Sequence, residues 1–389
     1  MKLKHCHNIN DLRRLAKRRL PAPMFHYIDG GADDEISLRR NTDAFSDYEL
    51  LPRTLIDVEH INTQTTVLGQ DLDWPVIVAP TGMSRLFHHD GELAVAKAAQ
   101  NFGTMYSLST VSTCDIETVG KATVGPKMFQ IYIHRDRGLT SEFVQRCKDS
   151  GYKALCLTVD MPVAGNRERD LVTGMTIPPR FSPSSILSFA LHPYWSANKL
   201  FRKKIELANV VEKIRAAKEP MGSIMEYANS QFDRSVNWTD AEHLVQQWHG
   251  PFAIKGIVTA DDAIRAAEIG ATAVVVSNHA GRQLDGAPAT IDCLPSIVDA
   301  VGGRVEIILD SGIRRGSHVV KALALGANAC MVGRPYLYGL GAAGQIGVEH
   351  ALGLLRSELE RTMALLGCSD IGAISRAHIQ HCNARIGHS

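Results

Sequence analysis

The sequence has almost no net charge and no apolar segment long enough to cross a membrane. Lysine and arginine together number 42 and aspartate and glutamate 41, which gives a formal net charge of +1. Binding to a nucleic-acid backbone needs a concentrated positive field, and this composition does not supply one. No segment approaches the roughly 18 uninterrupted apolar residues of a membrane-spanning helix. We therefore expect neither a nucleic-acid partner nor a transmembrane helix.

Regular cysteine spacing and an apolar signal sequence are also missing. The eight cysteines form no CxxC pair, and we interpret them as free thiols in a reducing compartment. The sequence starts with MKLKHCH, which contains no apolar signal core, so the expected location is the cytoplasm. A P-loop and a GxSxG motif are absent as well. The signatures of nucleotide hydrolysis and of α/β-hydrolase chemistry are therefore lacking.

Three short motifs are too weak to assign a site. A GxGxxG match at 339–344 lies within a helical pattern, whereas a dinucleotide site needs a strand before the glycines. The histidine-rich stretches at 5–7 and 88–90 lack the spaced ligands of a zinc site. We predict no bound metal.

Eight short apolar, β-branched runs dominate the rest of the chain, most of them separated by helical patterns. Continuous apolar runs indicate parallel strands that are buried on both faces. Eightfold alternation of strand and helix predicts the α/β class and a (β/α)8 TIM barrel. The runs are 76–80, 105–110, 127–133, 154–160, 252–257, 273–279, 306–312 and 329–334.

We predict a single domain over residues 1–389. It comprises an N-terminal extension over 1–75, helical at first, and a barrel over 76–375. The loop after the fourth strand, over 161–240, is unusually long. Loops of more than about 15 residues are usually functional or disordered, so this loop is a candidate lid or docking element.

Polar residues stand at the carboxyl ends of the predicted strands, which meet at the barrel mouth where such enzymes keep their catalytic groups. The sixth run ends in His279, and Arg282 follows three residues later. A titratable base beside a fixed cation suits an enzyme that holds a carboxylate and removes a proton next to it. The ring of polar groups suits a planar polar cofactor. Its other members are Pro80, Thr81, Gly82, Ser109, Gln130, Tyr132, Thr158, Asp160, Lys255, Ser277, Asp310, Ser311, Gly312, Gly333 and Arg334.

Glycine and arginine follow the last two strands, where barrels commonly bind a phosphate through backbone amides. Gly312 and Gly333 let the backbone approach such a group. Arg314 or Arg334 can supply a fork-shaped positive charge.

Nine motifs along the chain are specific: FHYIDGGA at 25–32, PTG at 80–82, LST at 108–110, QIY at 130–132, TVD at 158–160, IKG at 254–256, SNHAGRQLDG at 277–286, DSGIRRG at 310–316 and GRP at 333–335. Over residues 8–372 the sequence therefore resembles the family of FMN-dependent α-hydroxy acid dehydrogenases and oxidases. The family includes glycolate oxidase, L-lactate dehydrogenases and mandelate dehydrogenase. The resemblance implies FMN as the cofactor, oxidation of an L-2-hydroxy acid to the 2-oxo acid, and a homotetramer.

The resemblance also implies the roles of the residues that carry out the chemistry. His279 would be the base that removes a proton from the substrate, and Asp160 would orient its imidazole. Tyr132 would hydrogen-bond the substrate hydroxyl. Lys255 would lie near flavin N1 and O2, where negative charge forms on reduction.

By the same resemblance, Arg282, Arg167 and Tyr27 would hold the substrate carboxylate, a bidentate task that suits arginine better than lysine. The residues that would bind FMN are Pro80, Thr81, Gly82, Ser109, Gln130, Thr158, Lys255, Ser277, Asp310, Ser311, Gly312, Arg314, Gly333 and Arg334.

Two positions bear on the kind of enzyme within the family. Ala280 stands where the family usually has glycine, and we expect altered kinetics without loss of activity. Gly82 favours a dehydrogenase, because family oxidases that react readily with oxygen often carry alanine there. The electron acceptor is then a quinone or an electron-transport chain.

The segment 180–215 combines apolar and aromatic residues at 185–195 with three consecutive cations at 202–204. This composition suits the membrane interface and resembles the segment of membrane-associated lactate and mandelate dehydrogenases. We expect a peripheral location on the inner face of the cytoplasmic membrane. A lid packed on the barrel is the alternative.

The sequence predicts the type of reaction more clearly than it predicts the substrate. Val111 and Ala164 stand where the substrate side chain would point, and both are small, which permits groups from methyl to phenyl. We favour L-lactate. The alternatives are L-mandelate or another bulky 2-hydroxy acid, and an oxygen-using oxidase of the glycolate oxidase type.

Two functions from other classes fit part of the sequence. An FMN barrel of the isopentenyl diphosphate isomerase type would share the phosphate motifs but has no need of His279 and Arg282. A non-catalytic flavin-binding scaffold would keep those motifs and lose the base and the clamp. Both residues are present, which disfavours both alternatives.

Overall fold

The structure is a computed structural model, which describes residues 2–175, 180–200, 205–210 and 233–382. Its N-terminal part is helical at first, as expected, and then forms three short strands. In chain order the elements are α1 (Ile9–Arg19), α2 (Ala22–Asp29), α3 (Ile36–Asp43), β1 (Tyr48–Leu50), β2 (Thr65–Val67) and β3 (Gln70–Leu72).

The next eight strands close into a parallel barrel. They follow one another around it in chain order, and the last pairs with the first. The predicted (β/α)8 barrel is thereby confirmed. The strands are β4 (Val76–Val78), β5 (Tyr106–Ser109), β6 (Lys127–Ile131), β7 (Ala154–Thr158), β8 (Phe252–Ile257), β9 (Ala273–Val276), β10 (Glu306–Leu309) and β11 (Ala329–Val332).

Two apolar layers hold these strands. Val76 and Val78 pack outward in the same cluster as the helices, whereas Ile77 between them packs inward with Cys156 and Met331. Successive side chains on a strand point to opposite faces, and here both faces are covered. This is why most of the strands are predominantly apolar along their length, without a regular alternation of apolar and polar residues.

The hairpin formed by β2 and β3 closes one end of the barrel. Val67, Leu68 and Leu72 belong to the inward-facing cluster, and the backbone N–H of Leu68 donates to Oε2 of Glu306 at 2.7 Å. Glu306 is the first residue of β10, so the hairpin lies at the amino-terminal end. Functional groups are left to the opposite, carboxyl-terminal mouth.

The helices surround the barrel and continue into the long loop. They are α4 (Gly91–Asn101), α5 (Ile116–Ala122), α6 (Arg137–Asp149), α7 (Glu168–Thr173), α8 (Pro183–Ala190), α9 (Pro193–Leu200), α10 (Trp238–Trp248), α11 (Ala260–Glu268), α12 (Thr290–Val301), α13 (Gly316–Ala324) and α14 (Arg334–Leu366). The GxGxxG match at 339–344 lies within α14, and its last two residues, Ala343 and Gly344, form a kink with non-helical backbone angles. Its first four residues are helical, as predicted.

The loop after β7 contains α7, α8 and α9, so its described part has secondary structure of its own. None of the described helices combines the length and apolarity needed to span a membrane. A last strand, β12 (Ile379–His381), pairs antiparallel with β1. It lies beyond the limit of residue 375 that was predicted for the barrel.

Most predicted strands extended too far at the carboxyl end. The run 273–279 was predicted as strand, yet β9 ends at Val276, and the run 154–160 contains β7, which ends at Thr158. The extra residues belong to the loops at the mouth. His279 and Asp160 are therefore loop residues that follow strands by three and two positions.

Candidate active site

One cavity at the carboxyl-terminal mouth brings together most of the predicted site residues. Asp160 and Ser277 do not line it, but each contacts a residue that does. The predicted residues that line the cavity are Tyr27, Pro80, Thr81, Gly82, Ser109, Gln130, Tyr132, Thr158, Arg167, Lys255, His279, Arg282, Asp310, Ser311, Gly312, Arg314, Gly333 and Arg334.

His279 and Asp160 form a hydrogen-bonded pair. Nδ1 of His279 lies 2.9 Å from Oδ1 of Asp160, which leaves Nε2 as the ring nitrogen for a ligand. Burial by itself raises the pKa of Asp160, but the contact with His279 and the charge of Lys255 outweigh it and hold that pKa below its ordinary value. Asp160 is therefore an anion beside the imidazole. It orients the ring and stabilises its protonated form.

The turn that carries His279 has an unusual backbone. The φ angle is 54° at His279, 56° at Ala280 and 71° at Gly281, a left-handed conformation that is costly for a residue with a Cβ. Buried amides hold the turn in place. Asn278 and Asn41 exchange hydrogen bonds of 2.8 and 2.9 Å, and Oδ1 of Asn278 accepts from the N–H of Gly281 at 3.2 Å. Sequence analysis gave Asn41 no role, because no local pattern links residues this far apart in the chain.

Replacing Ala280 by glycine should raise the free energy of unfolding by about 0.5–1 kcal/mol, because glycine adopts a left-handed φ without steric cost. Denaturant-induced unfolding measures this change. Ala267→Gly, inside α11, is the matched control and should lower stability by about 1 kcal/mol. A less stable Ala280→Gly protein would show that the methyl group contributes packing that exceeds its backbone strain.

Tyr27, Arg167 and Arg282, the three predicted carboxylate ligands, lie together. The guanidinium carbons of Arg167 and Arg282 are 5.5 and 5.1 Å from the Tyr27 ring centroid. Nη1 of Arg282 donates to the carbonyl oxygens of Tyr27 at 2.6 Å and Gly30 at 3.1 Å. Nε of Arg167 lies 3.4 Å from Oδ2 of Asp170. Among the described residues no hydrogen-bond acceptor engages Nε or Nη2 of Arg282, so this fork remains for a ligand.

The electrostatics of this corner favour an anion. Burial, followed by the nearby charge of Arg167, lowers the pKa of Arg282 to about 10. The guanidinium remains protonated at neutral pH, but two partly buried cations lie close together and repel each other. A carboxylate between them would relieve that repulsion and form charge-assisted hydrogen bonds.

A buried cation lies deeper in the mouth. Nζ of Lys255 donates to Oγ of Ser277 and lies 2.8 Å from Oδ2 of Asp310. Burial lowers the pKa of Lys255, but the charges of Asp310 and Asp160 outweigh it and hold the pKa above its ordinary value. Lys255 is therefore charged. Ser277, which is fully buried, acts on the cavity through Lys255 and through a hydrogen bond from the backbone N–H of His279.

Ser109, Gln130, Thr158 and Lys255 lie at or near the carboxyl ends of four neighbouring strands, β5 to β8, and line one side of the cavity. Oγ of Ser109 donates to Oε1 of Gln130 at 3.1 Å. In the described chain, neither Nε2 of Gln130 nor Oγ1 of Thr158 has a hydrogen-bond partner, although both atoms are buried. Buried polar atoms are normally bonded. This edge therefore fits a planar ring that carries hydrogen-bond donors and acceptors along one side.

The opposite side of the cavity has the features of a phosphate site. Gly312 has a φ of 79°, and a Cβ there would lie 1.9 Å from the Asn41 carbonyl oxygen, so only glycine fits. Gly333 directly precedes α14, and helix N-termini bind anions. Arg314 lines this part of the cavity and donates from Nη1 only to its neighbour, the carbonyl of Ile313.

Arg334 differs from Arg314 in how its guanidinium is used. It donates to the carbonyl oxygens of Ile28, Gly30 and Ala280 at 3.0, 2.8 and 2.9 Å. These contacts tie the end of α2 to the turn of His279. Arg314 is thus better placed than Arg334 to take a phosphate. The adjacent Arg315 is half exposed and pairs with Glu358 on the surface.

Tyrosines of α14 support the mouth in a way that sequence analysis missed. The hydroxyl of Tyr336 lies 2.6 Å from Oγ1 of Thr81 and donates to the carbonyl of Ala79. The hydroxyl of Tyr338 donates to Oδ1 of Asp29 at 2.8 Å. They fix the loop after β4 and the end of α2. Their only sequence signal is a pair of tyrosines just after GRP, which by itself predicts helix packing.

Tyr132 reaches the cavity as a neutral phenol. Its hydroxyl donates to Sδ of Met161 at 3.8 Å, and burial, followed by the charge of Asp160, raises its pKa well above the ordinary value. It can therefore donate a hydrogen bond to an oxygen of a ligand at any physiological pH.

The side chains of His88, His89 and Asp90 place one possible ligand atom each within 4.8 Å of one another. Their adjacency in sequence accounts for this closeness. The absence of a bound metal stays a prediction.

Comparison with known proteins agrees with this geometry. The model of the family described as FMN-dependent dehydrogenase matches residues 16–381. The chain is 44% identical to an L-lactate oxidase from Nostoc sp. over 381 residues, covering 96% of this chain and 97% of the relative. It is 41% identical to an L-lactate dehydrogenase from Vibrio cholerae, covering 94% and 97%. A solved structure of the monotopic membrane protein (S)-mandelate dehydrogenase superimposes with a TM-score of 0.93 at 37% identity, covering 97% of this chain and all of that one. The chain therefore belongs to the FMN-dependent α-hydroxy acid dehydrogenase and oxidase family and is an enzyme that uses FMN to oxidise 2-hydroxy acids.

Proposed function

We propose that this enzyme oxidises L-lactate to pyruvate and passes the electrons to a quinone. The observation that carries the proposal is the pair of His279 and Asp160 in the same cavity as Tyr27, Arg167 and Arg282. A base and a carboxylate clamp that share one cavity fit a small acid whose reacting carbon is next to its carboxylate.

In this proposal the clamp fixes the substrate before any bond changes. The free fork of Arg282 and the guanidinium of Arg167 bind the carboxylate, and Tyr27 completes the corner. Tyr132 donates a hydrogen bond to the oxygen on C2. Holding both ends of a two-carbon unit orients C2 and its hydroxyl, which removes much of the entropic cost of reaction.

The proton is handled by the histidine pair. Nε2 of His279 accepts a proton that the substrate loses, and the anionic Asp160 at Nδ1 stabilises the imidazolium that results. When FMN is bound, the charged Lys255 would provide a fixed positive charge beside its ring.

FMN, when bound, supplies the two-electron acceptor. We propose that Ser109, Gln130, Thr158 and Lys255 hold the polar edge of its ring, and that Pro80, Thr81 and Gly82 border the ring. The ribityl phosphate end would be held by Ser311, Gly312, Arg314 and Gly333. Ser277 and Asp310 would support the site through Lys255, and Arg334 through the carbonyls of α2 and of the His279 turn.

L-Lactate is favoured because the relatives include both an L-lactate oxidase and an L-lactate dehydrogenase. Val111 and Ala164, which line the cavity, also leave room for a larger group. The likeness to (S)-mandelate dehydrogenase supports L-mandelate as the second candidate.

Gly82 supports a dehydrogenase. A Cβ at this position would lie 2.6 Å from Cγ2 of Val111, so the space beside the loop is already taken and alanine would require Val111 to move. Electron transfer to a quinone, with oxygen as a poor acceptor, follows from this assignment. An oxygen-using oxidase is the alternative.

The described part of 180–215 supports a peripheral membrane contact. In α8, α9 and the turn between them, the side chains of Ile186, Leu187, Leu191 and Tyr194 are between 60% and 74% exposed. Nε1 of Trp195 donates to the carbonyl of Leu86 and holds the segment on the barrel. An apolar outer face suits the headgroup region. The cations at 202–204 lie outside the described residues. We also propose a homotetramer, as the family resemblance implies.

Anaerobic mixing of the purified, FMN-loaded enzyme with L-lactate, L-mandelate and glycolate tests the proposal. We expect the flavin absorbance to bleach with the highest kcat/KM for L-lactate and to stay unchanged with D-lactate. Reoxidation should be faster with a soluble quinone analogue than with air. A higher kcat/KM for L-mandelate would select the second substrate, and faster reoxidation by air would select an oxidase.

A further inference from the structure

A short piece of the long loop returns to the active-site mouth. Within residues 205–210, Leu207 and Val210 are buried to the same degree as the barrel core, at 3% and 5% exposure. Leu207 also lines the active-site cavity. This piece is therefore part of the wall of the site and is not a surface strap.

The side chain of Asn209 fastens this piece to the loop between β5 and α5. Oδ1 accepts from the backbone N–H of Ile116 at 3.1 Å. Nδ2 donates to Oγ of Ser112 at 3.0 Å and, more weakly, to the carbonyl of Thr110 at 3.5 Å. Asn209 is only 5% exposed. A buried amide that is engaged at both ends is costly to remove, because its partners lose their hydrogen bonds together.

The backbone adds two further links. The N–H of Ala208 donates to the carbonyl of Ser112 at 3.1 Å. Nη1 of Arg146 donates to the carbonyl of Asn209 at 3.2 Å, and the same guanidinium pairs with Glu117 at 2.7 Å. The attachment thus reaches two elements of the barrel, α5 and α6.

These links bring together two cavity residues that are distant in sequence. Val111 stands between Thr110 and Ser112, the two residues of its loop that receive hydrogen bonds from Nδ2 of Asn209. Leu207 directly precedes Ala208, which bonds to Ser112. Asn209 therefore sets the spacing between Leu207 and Val111, and both side chains face the cavity.

We infer that Leu207 is a specificity-determining residue and that Asn209 is its positioning residue. Together they fix the wall that meets the group attached to C2 of the substrate. This inference rests on the proposed function. Other apolar residues also line the cavity, among them Phe87, Met161, Ala164 and Met175.

Leu207→Ala tests the wall directly, since it leaves every hydrogen bond of Asn209 in place. The ratio of kcat/KM for L-mandelate to that for L-lactate should rise about tenfold, as expected when a few methyl or methylene groups are removed from an apolar pocket. Steady-state kinetics with both acids measures the ratio. A ratio within twofold of the parent enzyme would overturn the role of Leu207.

Asn209→Ala tests the positioning role, and it should shift the same ratio in the same direction by at least about fivefold. The affinity for oxalate distinguishes a positioning role from general damage to the site, because general damage would weaken oxalate binding. Oxalate has two carboxylates and no group in place of the substrate side chain, so its Kd, measured from the flavin absorbance, should stay within twofold. Asn101→Ala, which removes an exposed amide contact with Glu349, should change neither quantity.

The outcomes separate the two levels of the proposal. Failure of the parent enzyme to bleach with any 2-hydroxy acid removes the proposed function. Normal bleaching by the parent with an unchanged ratio in Asn209→Ala removes the positioning role alone. If Asn209→Ala changes the ratio and also abolishes oxalate binding, Asn209 maintains the general integrity of the site, and its positioning role is removed as well. If Asn209→Ala does not fold, Leu207→Ala decides.

Discussion

Replacing His279 by alanine should lower kcat about 10³- to 10⁴-fold while the enzyme still binds FMN. General base catalysis contributes on this scale, and His279 is the only imidazole among the described residues that line the cavity. The candidates nearby are unsuited to accepting the proton, because Lys255 is already charged and the raised pKa of Tyr132 keeps its phenol neutral. Anaerobic stopped-flow bleaching with L-lactate measures the rate, and the absorbance spectrum of the purified variant reports bound FMN.

Asp160→Asn is the companion variant. It keeps the shape of the side chain that meets Nδ1 of His279 but removes the negative charge that stabilises the imidazolium. We expect a loss of about 10²-fold or more in kcat. Turnover of His279→Ala at the parent rate would remove the histidine from the mechanism. A normal rate in Asp160→Asn, with the hydrogen bond intact, would limit Asp160 to orienting the ring.

The barrel was predictable because its determinants are local. Each strand is a continuous apolar run, and such runs alternate with helical patterns along the whole chain. Where the strands end was less clear, since the residues that follow them, such as Val159 or Asn278, lie in loops whose conformation depends on distant partners. The error in the predicted ends falls on the residues that form the mouth.

Single motifs could identify the residues of the site but not the contacts that each of them makes. The sequence offers Arg314 and Arg334 as equivalent forks, and only the fold shows that three carbonyl oxygens already engage Arg334. The pairing of Asn41 with Asn278 spans two elements that no periodicity relates. Leu207 belongs to a loop without a repeating pattern, and the hydrogen bonds of its neighbours Ala208 and Asn209 to Ser112 and Ile116 are not evident from the sequence.

Ala280 shows where a departure from the family pattern acts. The methyl group lies on the backbone of a left-handed turn, and the carbonyl of Ala280 accepts from Arg334. A strained turn that is held by Asn278 and Arg334 still presents the imidazole to Asp160. This explains in physical terms why we expect the substitution to alter kinetics without abolishing activity.

Replacing Arg282 by lysine should lower kcat/KM for L-lactate about 10- to 100-fold. This range corresponds to the loss of one charge-assisted hydrogen bond of about 1.5–3 kcal/mol. The guanidinium donates from Nη1 to the carbonyls of Tyr27 and Gly30 and keeps Nε and Nη2 for the substrate. An ammonium group has a single nitrogen. It either satisfies the two carbonyls or turns to the carboxylate, and in both cases some contact is lost.

The kinetic constants and one surface variant test this account of Arg282. KM should rise and kcat should fall, because the carboxylate is both bound and oriented by the fork. Arg315→Lys makes the same chemical change in an exposed pair with Glu358 and should leave both constants unchanged. FMN content should be unchanged in both variants, since we assign Arg282 to the substrate carboxylate and not to the cofactor. An unchanged KM for L-lactate in Arg282→Lys would mean that Arg167 and Tyr27 hold the carboxylate without it.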